Sequence, residues 1–389
     1  MQKMLKTMRW FGPHDAVRLR DIRQAGVSHI VTALHQIPVG EVWPEEAIRE
    51  RQEILRKEGL EWAVVESLPV HEDIKRGRGE RALYIENYKT SIRNLAACGI
   101  QVITYNFMPV LDWIRTDHAW ENADGTRTLA YRHVAFIYFD LELLKRPGAE
   151  ADYTPEQIAE ARTYGNSLSD SEREGLFRRV LLGLPGSKEN FTAEQLLELL
   201  AGYADIDSET MRRNLIHFLT EVTPIAAEVK AKLAIHPDDP PFSLLGLPRI
   251  MSTEEDARLV FEAVPGTANG LCYCTGSFGA HPQNDLLRII DTYGDRIHFL
   301  HLRNVARSGE KDFRESAHLE GDNPMRAIMQ KLLQLMEQRN VVLPMRPDHG
   351  FLHDLEANTD HYPGYSLIGR LKALAELSGL EKGLIDSER

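Results

Sequence analysis

The 389-residue sequence predicts an α/β fold, a (β/α)8 TIM barrel with a helical insertion after strand four. Three observations point there. Eight short apolar or β-branched runs recur along the chain, amphipathic helical patterns separate nearly all of them, and the gap between the fourth and fifth runs is much the longest. Parallel strands need crossover helices, and an eighth strand closes the sheet on itself. A doubly wound open sheet fits less well, because "WFGPHDAVRL" carries a single glycine where the dinucleotide-binding turn of that fold needs several. Residues 1–389 therefore read as one barrel domain.

Strand one is read in "MRWFG" (8–12), strand two in "HIVTAL" (29–34), strand three in "WAVVES" (62–67) and strand four in "QVITYNF" (101–107). Strands five to eight follow in "KLAIHP" (232–237), "GLCYCTGS" (270–277), "IHFLHLRN" (297–304) and "VVLPMRPD" (341–348). Between the second and third, "AIRERQEILRKEGLEW" places Ile48, Ile54 and Leu55 on one helical stripe and stops at Gly59, a natural helix end. "STEEDARLVFEAV" opens with Ser252 and Glu255 at capping-box spacing. A helix over "SETMRRNLIHFLTEVTPIAAEVKAK", with Leu215, Phe218, Leu219 and Val222 along one side, returns the chain to strand five.

An ordinary βα unit takes about 30 residues, so much of 112–205 is surplus. "DYTPEQIAEARTYGNSLSDSEREGLFRRVL" reads as two helices, and "FTAEQLLELLAGY" as a third, capped by Thr192 with Gln195. An insertion after strand four emerges at the C-terminal rim, where barrel enzymes keep their active sites. A helical lid or an oligomer contact is the expected role, and a homo-oligomer the expected assembly.

Hydrophobic content of 43% with 27% charged residues marks a globular chain. A formal charge of −12 argues against a nucleic-acid partner, which calls for a net basic face, but not against a small anionic substrate. No stretch approaches the roughly 18 apolar residues of a membrane span. "MQKMLKTMRW" has no apolar core behind its lysines, so it does not read as a secretory signal. Cys98, Cys272 and Cys274 are a sparse, odd set, which argues against a disulfide scaffold and for a reducing cytoplasm.

The polar residues at the strand ends carry the chemistry. Strand five ends in His236, strand six in Cys274, strand seven in His301, and strand eight in Asp348 followed by His349. Singly, each has a plain structural reading: a rim histidine, a small core thiol, a turn at "PDHG". Together, two imidazoles, a thiolate and a carboxylate at four consecutive strand ends make a first shell for a divalent transition metal. Cys272, two residues before Cys274 on the same strand face, is expected one layer deeper as a core residue. His14, His35, Glu66 and Asn106 are further strand-end groups that can face the same mouth. Arg115, Arg303 and Arg346 offer guanidinium forks suited to a carboxylate, and the set suggests a polyhydroxylated anionic ligand.

The segments "WFGP" and "DAVRLRDIRQAGV" on either side of His14, "VTALHQIPVGEVW", "WAVVESLPVHEDIK", "AIHPDDPP", "GLPRI", "CTGS", "FLHLRN", "MRPDHG" and "YPGY" together resemble the bacterial D-mannonate dehydratase family, from about residue 8 to the C-terminal region. The resemblance implies a metal-dependent barrel enzyme of hexuronate (glucuronate) catabolism, a lyase that converts D-mannonate to 2-keto-3-deoxy-D-gluconate and water with Mn²⁺ or Fe²⁺. It places His236, Cys274, His301 and Asp348 at the family's metal ligands, and His349 with Tyr365 at its acid/base pair. His35, Glu66, Asn106, Arg303 and Arg346 are the expected substrate contacts. Two rivals stand beside this reading. One is a metal-dependent sugar isomerase or epimerase on the same barrel, which conserves mass. The other is a non-catalytic sugar-acid sensor, against which an intact His349 and Tyr365 speak.

Overall fold

The computed structural model describes residues 2–182 and 192–387. Eight parallel strands close a barrel: Leu5–Arg9, His29–Thr32, Glu61–Val65, Val102–Tyr105, Lys232–Ile235, Asn269–Cys274, Ile297–His301 and Pro344–Arg346. The first pairs with the eighth, Leu5 opposite Pro344, so the sheet has no edge. A helix follows each strand: Leu19–Gln24, Glu45–Lys57, Arg81–Ala97, Ser208–Glu228, Glu254–Ala263, Leu286–Tyr293, Met325–Arg339 and Leu367–Ser387. Inside the barrel, Val31, Val64, Ala234, Cys272 and Phe299 form a fully buried layer. Cys272 thus packs as a core residue, as expected from its place one step below Cys274. Among the described residues no helix is long and apolar enough to cross a membrane.

Several boundaries move. The first strand ends at Arg9 and does not run to Gly12, because the Asp15 carboxylate captures the backbone N–H groups of Phe11 and Val17 at 2.8 and 2.9 Å and turns the chain. The helix Glu45–Lys57 buries Ile48, Arg51 and Leu55, whereas Ile54 is 37% exposed. At 3.6 residues per turn, Ile54 falls off the stripe that Ile48 and Leu55 share. Gly59 does end that helix, at φ +71°. The capping box before Glu254–Ala263 is built by Thr253 and Asp256, one residue later than the expected Ser252 and Glu255. The Ser252 hydroxyl is already committed, donating to Asp238 Oδ2 at 2.8 Å.

The insertion contains the expected helices, Pro155–Asn166, Asp170–Leu181 and Ala193–Ala201, the last capped by Thr192 and Gln195; its residues 183–191 lie outside the described ones. It is not wholly helical. It opens with a hairpin, Asp117–Glu121 and Arg127–Tyr131, that pairs with a second hairpin, Asn304–Ser308 and Asp312–Ser316, leaving the seventh strand. The result is a four-stranded antiparallel sheet at the C-terminal ends of the barrel strands. Leu352, beyond the eighth strand, bridges to Arg127 at its border.

Candidate metal centre and active site

Four donors converge at the barrel mouth. One ligand atom each from His236, Cys274 and His301 lies within 4.8 Å of the others. Asp348 Oδ2 stands 3.9 Å from Cys274 Sγ and 4.0 Å from His301 Nδ1. Barrel register makes this meeting: Cys274 lies opposite His301, and His301 opposite Arg346, in paired strands. Asp348 itself sits at φ +68°, a left-handed conformation that Asp tolerates better than most residues. The left-handed step in "PDHG" therefore falls at a residue of the donor cluster itself.

The donors are prepared for a cation. His236 Nδ1 lies 2.7 Å from the Pro237 carbonyl and donates its proton there, which leaves Nε2 as the nitrogen that meets Cys274. His301 Nδ1 is buried with no hydrogen-bond partner among the described residues, while its Nε2 lies 3.1 Å from Arg346 Nε and 3.4 Å from Glu66 Oε2. Burial alone raises the Cys274 thiol, but the Arg303 charge and the neighbouring His236 and His301 imidazoles outweigh it and hold it well below the ordinary thiol range. The sulfur is thus drawn toward its thiolate form, and it also accepts from Ser277 N and Oγ at 3.4 and 3.2 Å. Burial works to lower His236, yet Cys274, then Asp348 and Glu66, push it up to about 9. A pocket that draws a proton this strongly draws a metal cation for the same reason. Two imidazoles, a thiolate and a carboxylate in this arrangement fit a divalent transition metal.

Around the donors lies a buried network of charge. Arg346 reaches Glu66 at 2.5 and 3.0 Å and Asp348 Oδ1 at 2.5 Å. Arg303 reaches Asp239 at 2.7 Å, Glu315 at 3.3 Å and His349 Nδ1 at 3.1 Å. Its guanidinium lies across Gly276 of "CTGS", where any side chain would collide with it. Glu315 also meets His349 Nδ1 at 2.6 Å, which leaves Nε2 as the outward nitrogen, 3.7 Å from Asp348 Oδ1. The Tyr365 ring stands 4.9 Å from that of His349 at 75°. Burial, ahead of the opposing Arg346 charge, pushes the Tyr365 phenol up to about 12.

The cavity over this centre is lined by Glu66, Asn106, His236, Arg303, Arg346, Asp348, His349 and Tyr365 from the expected set, with Cys274 and His301 beneath. Asn106 donates to Asp112 Oδ2 at 3.0 Å. Three expected neighbours stand elsewhere. His35 is not among the lining residues and contacts Arg9 at 3.4 Å; burial, with Arg9, pushes it down to about 3, so it is neutral. His14 is exposed on the turn after the first strand. Arg115 is wholly buried in bonds of 2.6 and 3.0 Å to Asp239 and contributes no free fork. Sequence reasoning missed Arg9, Trp113, Asp239 and Glu315. Arg9 was legible as the true end of strand one, and Asp239 as part of "HPDD". Glu315 comes from a hairpin whose pairing nothing local announced.

The chain matches the family described as D-mannonate dehydratase (UxuA) over residues 4–389. It is 50% identical over 388 residues to a mannonate dehydratase of Chromohalobacter salexigens, covering 98% of this chain and 99% of that protein. A mannonate dehydratase of Marinomonas sp. is 47% identical over 389 residues, with the same coverage. The crystal structure of mannonate dehydratase from Streptococcus suis serotype 2 superposes with a TM-score of 0.79 at 33% identity, over 100% of this chain and 95% of that one. A xylose isomerase-like TIM barrel protein from Mycobacterium smegmatis, in complex with magnesium, shares the fold at a TM-score of 0.52 and 14% identity, over 98% of this chain and all of that one. With a family match along nearly its whole length and relatives near half identity, this chain belongs to the D-mannonate dehydratase (UxuA) family.

Proposed function

We infer that this chain converts D-mannonate to 2-keto-3-deoxy-D-gluconate and water, using a divalent cation held by His236, Cys274, His301 and Asp348. The observation that carries the reading is the donor cluster, one group from each of the last four barrel strands or the residues just beyond, with His349 and Tyr365 at its edge. The C2 proton of a sugar acid lies beside a carboxylate rather than a ketone and is only weakly acidic. When bound, the cation supplies Lewis acidity that stabilises the dianionic charge developing at that carboxylate. Mn²⁺ and Fe²⁺ are the metals the family resemblance suggests, and a thiolate ligand keeps Fe²⁺ in contention beside Mn²⁺. A reducing, cytoplasmic setting suits a thiolate that must stay unoxidised.

His349 takes the C2 proton through Nε2, with Nδ1 held by Glu315. Tyr365, kept protonated by burial, gives its proton to the C3 hydroxyl as the C3–O bond breaks and water departs. The enol left across C2 and C3 becomes the 2-keto acid by taking a proton at C3 and releasing the one on the C2 oxygen. Glu66 and Arg346 orient the donors, and Asn106 offers polar contact to the hydroxylated tail. The 112–205 insertion acts as a cover or subunit contact, and a homo-oligomer is the matching assembly. Metal-loaded protein incubated with D-mannonate in D₂O is the test. A 2-keto acid lighter by one water supports the reading, a product of unchanged mass marks an isomerase or epimerase, and binding without turnover marks a sensor. Tyr365→Phe protein that exchanges the C2 proton without eliminating water fixes His349 as the base; loss of that exchange in Tyr365→Phe alone reverses the two roles.

A further inference from the structure

Three guanidinium groups reach the cavity over the donor cluster, and two are clamped through both Nη atoms by protein carboxylates. Arg346 is clamped between Glu66 and Asp348, and Arg303 between Asp239 and Glu315. Arg9 is different. It ends the first barrel strand, is 3% exposed, and lines the same cavity. Its Nη1 stops 3.7 Å from Glu66 Oε1, an oxygen that Arg346 already holds at 2.5 Å. Its Nη2 has one long contact, 3.4 Å to His35 Nε2, and its Nε has no hydrogen-bond partner among the described residues. Phe11 lies under the guanidinium at 4.8 Å and meets Tyr365 edge-on, so the three side chains form one wall.

Buried polar groups are nearly always paired, and a guanidinium carries five donors. One that is buried at a cavity wall with a single long hydrogen bond is completed by a ligand that brings acceptors. The planar fork matches a carboxylate. Resting on the dehydratase reading, we propose that Arg9 holds the C1 carboxylate of the sugar-acid substrate. Arg303 and Arg346, whose Nη donors are engaged by protein carboxylates, instead position the metal ligands and His349. Burial, only partly offset by Glu66, weakens the hold of Arg9 on its proton, and an arriving anion counters that burial. An acid held there has C2 and C3 one and two bonds from the carboxylate, alongside Tyr365.

The test compares D-mannonate with D-mannonamide, in which a neutral amide replaces the carboxylate. Arg9→Gln is expected to raise KM for D-mannonate about 10- to 100-fold, the loss of a charge-assisted pair. Competitive inhibition by the amide should shift by less than about 3-fold, and bound metal per subunit should not change. Arg9→Lys, which keeps the charge but not the fork, should fall between wild type and Arg9→Gln. Equal weakening of acid and amide signals a merely structural role and overturns the proposal, as does an unchanged KM for the acid. Should Arg9→Gln not fold, the acid-to-amide ratio is read on Arg9→Lys, where a drop of about 3-fold or more supports the proposal and no drop overturns it. Wild-type protein that forms no 2-keto acid from D-mannonate overturns the dehydratase reading instead, a distinct result.

Discussion

Cys272 and Cys274 lie two residues apart on one strand, and their surroundings give them opposite chemistry. Cys272 is packed among Val31, Val64, Ala234 and Phe299, and burial pushes its thiol well up, so it stays protonated. Cys274 faces Arg303 and two imidazoles, which hold its thiol well below the ordinary range. Cys274→Ser should weaken metal binding by about 10-fold or more, since a hydroxyl replaces thiolate poorly. Cys272→Ser should keep its metal and lose about 1–3 kcal/mol of stability, because the new hydroxyl has no partner there. Elemental analysis and denaturant unfolding read the two effects, and unchanged metal in Cys274→Ser removes that sulfur from the ligand set. The adjacent pair Asp348 and His349 separates the same way. Asp348→Asn should lose metal and activity together, whereas His349→Asn should keep the metal and lose roughly 10² to 10⁴ in turnover. Full dehydratase activity in His349→Asn and Tyr365→Phe alike would mean that the proton-transfer pair lies elsewhere.

At the scale of elements, the barrel strands were readable and the sheet across their mouth was not. Apolar runs such as "HIVTAL" and "KLAIHP" mark strands buried on both faces. The hairpin Asp117–Tyr131 has a first strand that is mostly exposed, "DHAWE", so no apolar alternation advertised it. Its turn did carry a signal, Asp124 followed by Gly125 at φ +80°. The pairing of that hairpin with Asp312–Ser316 joins segments nearly two hundred residues apart, which no local pattern encodes. This sheet is how Glu315 arrives beside His349, and Arg115 pins it to the barrel through Asp239. Arg115→Met removes one partner of a wholly buried pair and should destabilise the protein by about 3–5 kcal/mol. Turnover should fall as well, since Asp239 and Glu315 also hold Arg303. Denaturant midpoints and kcat measured on the same preparation check both, and a variant as stable as wild type would show that the sheet is held by other contacts.

For the whole molecule, the barrel turns sequence position into place, which is why the meeting of the four proposed metal ligands was legible without a structure. Any polar residue just past a parallel strand arrives at one rim, so His236, Cys274, His301 and Asp348 had to be neighbours once eight strands were read. The rule failed where a boundary was misplaced, at Arg9, and where a loop rather than a strand end delivers the group, at Glu315. The same geometry makes the metal a matter for the entire fold. The four proposed ligands join the ends of the fifth to eighth strands, half of the barrel circumference, and Cys274 Sγ and Asp348 Oδ2 face each other at 3.9 Å. A ligand bound only to the native state stabilises it by about 2.7 kcal/mol at one hundred times its Kd. In a chain of this size that corresponds to a rise in Tm on the order of 3–5 °C. Chelation should therefore lower Tm by that amount, and Mn²⁺ or Fe²⁺ added back should restore it with activity in parallel. In Cys274→Ser the same metal should give a smaller rise at equal concentration, while in His349→Asn it should give the full rise without turnover. A Tm indifferent to chelator and metal in the wild-type protein would mean that these four side chains do not share a cation.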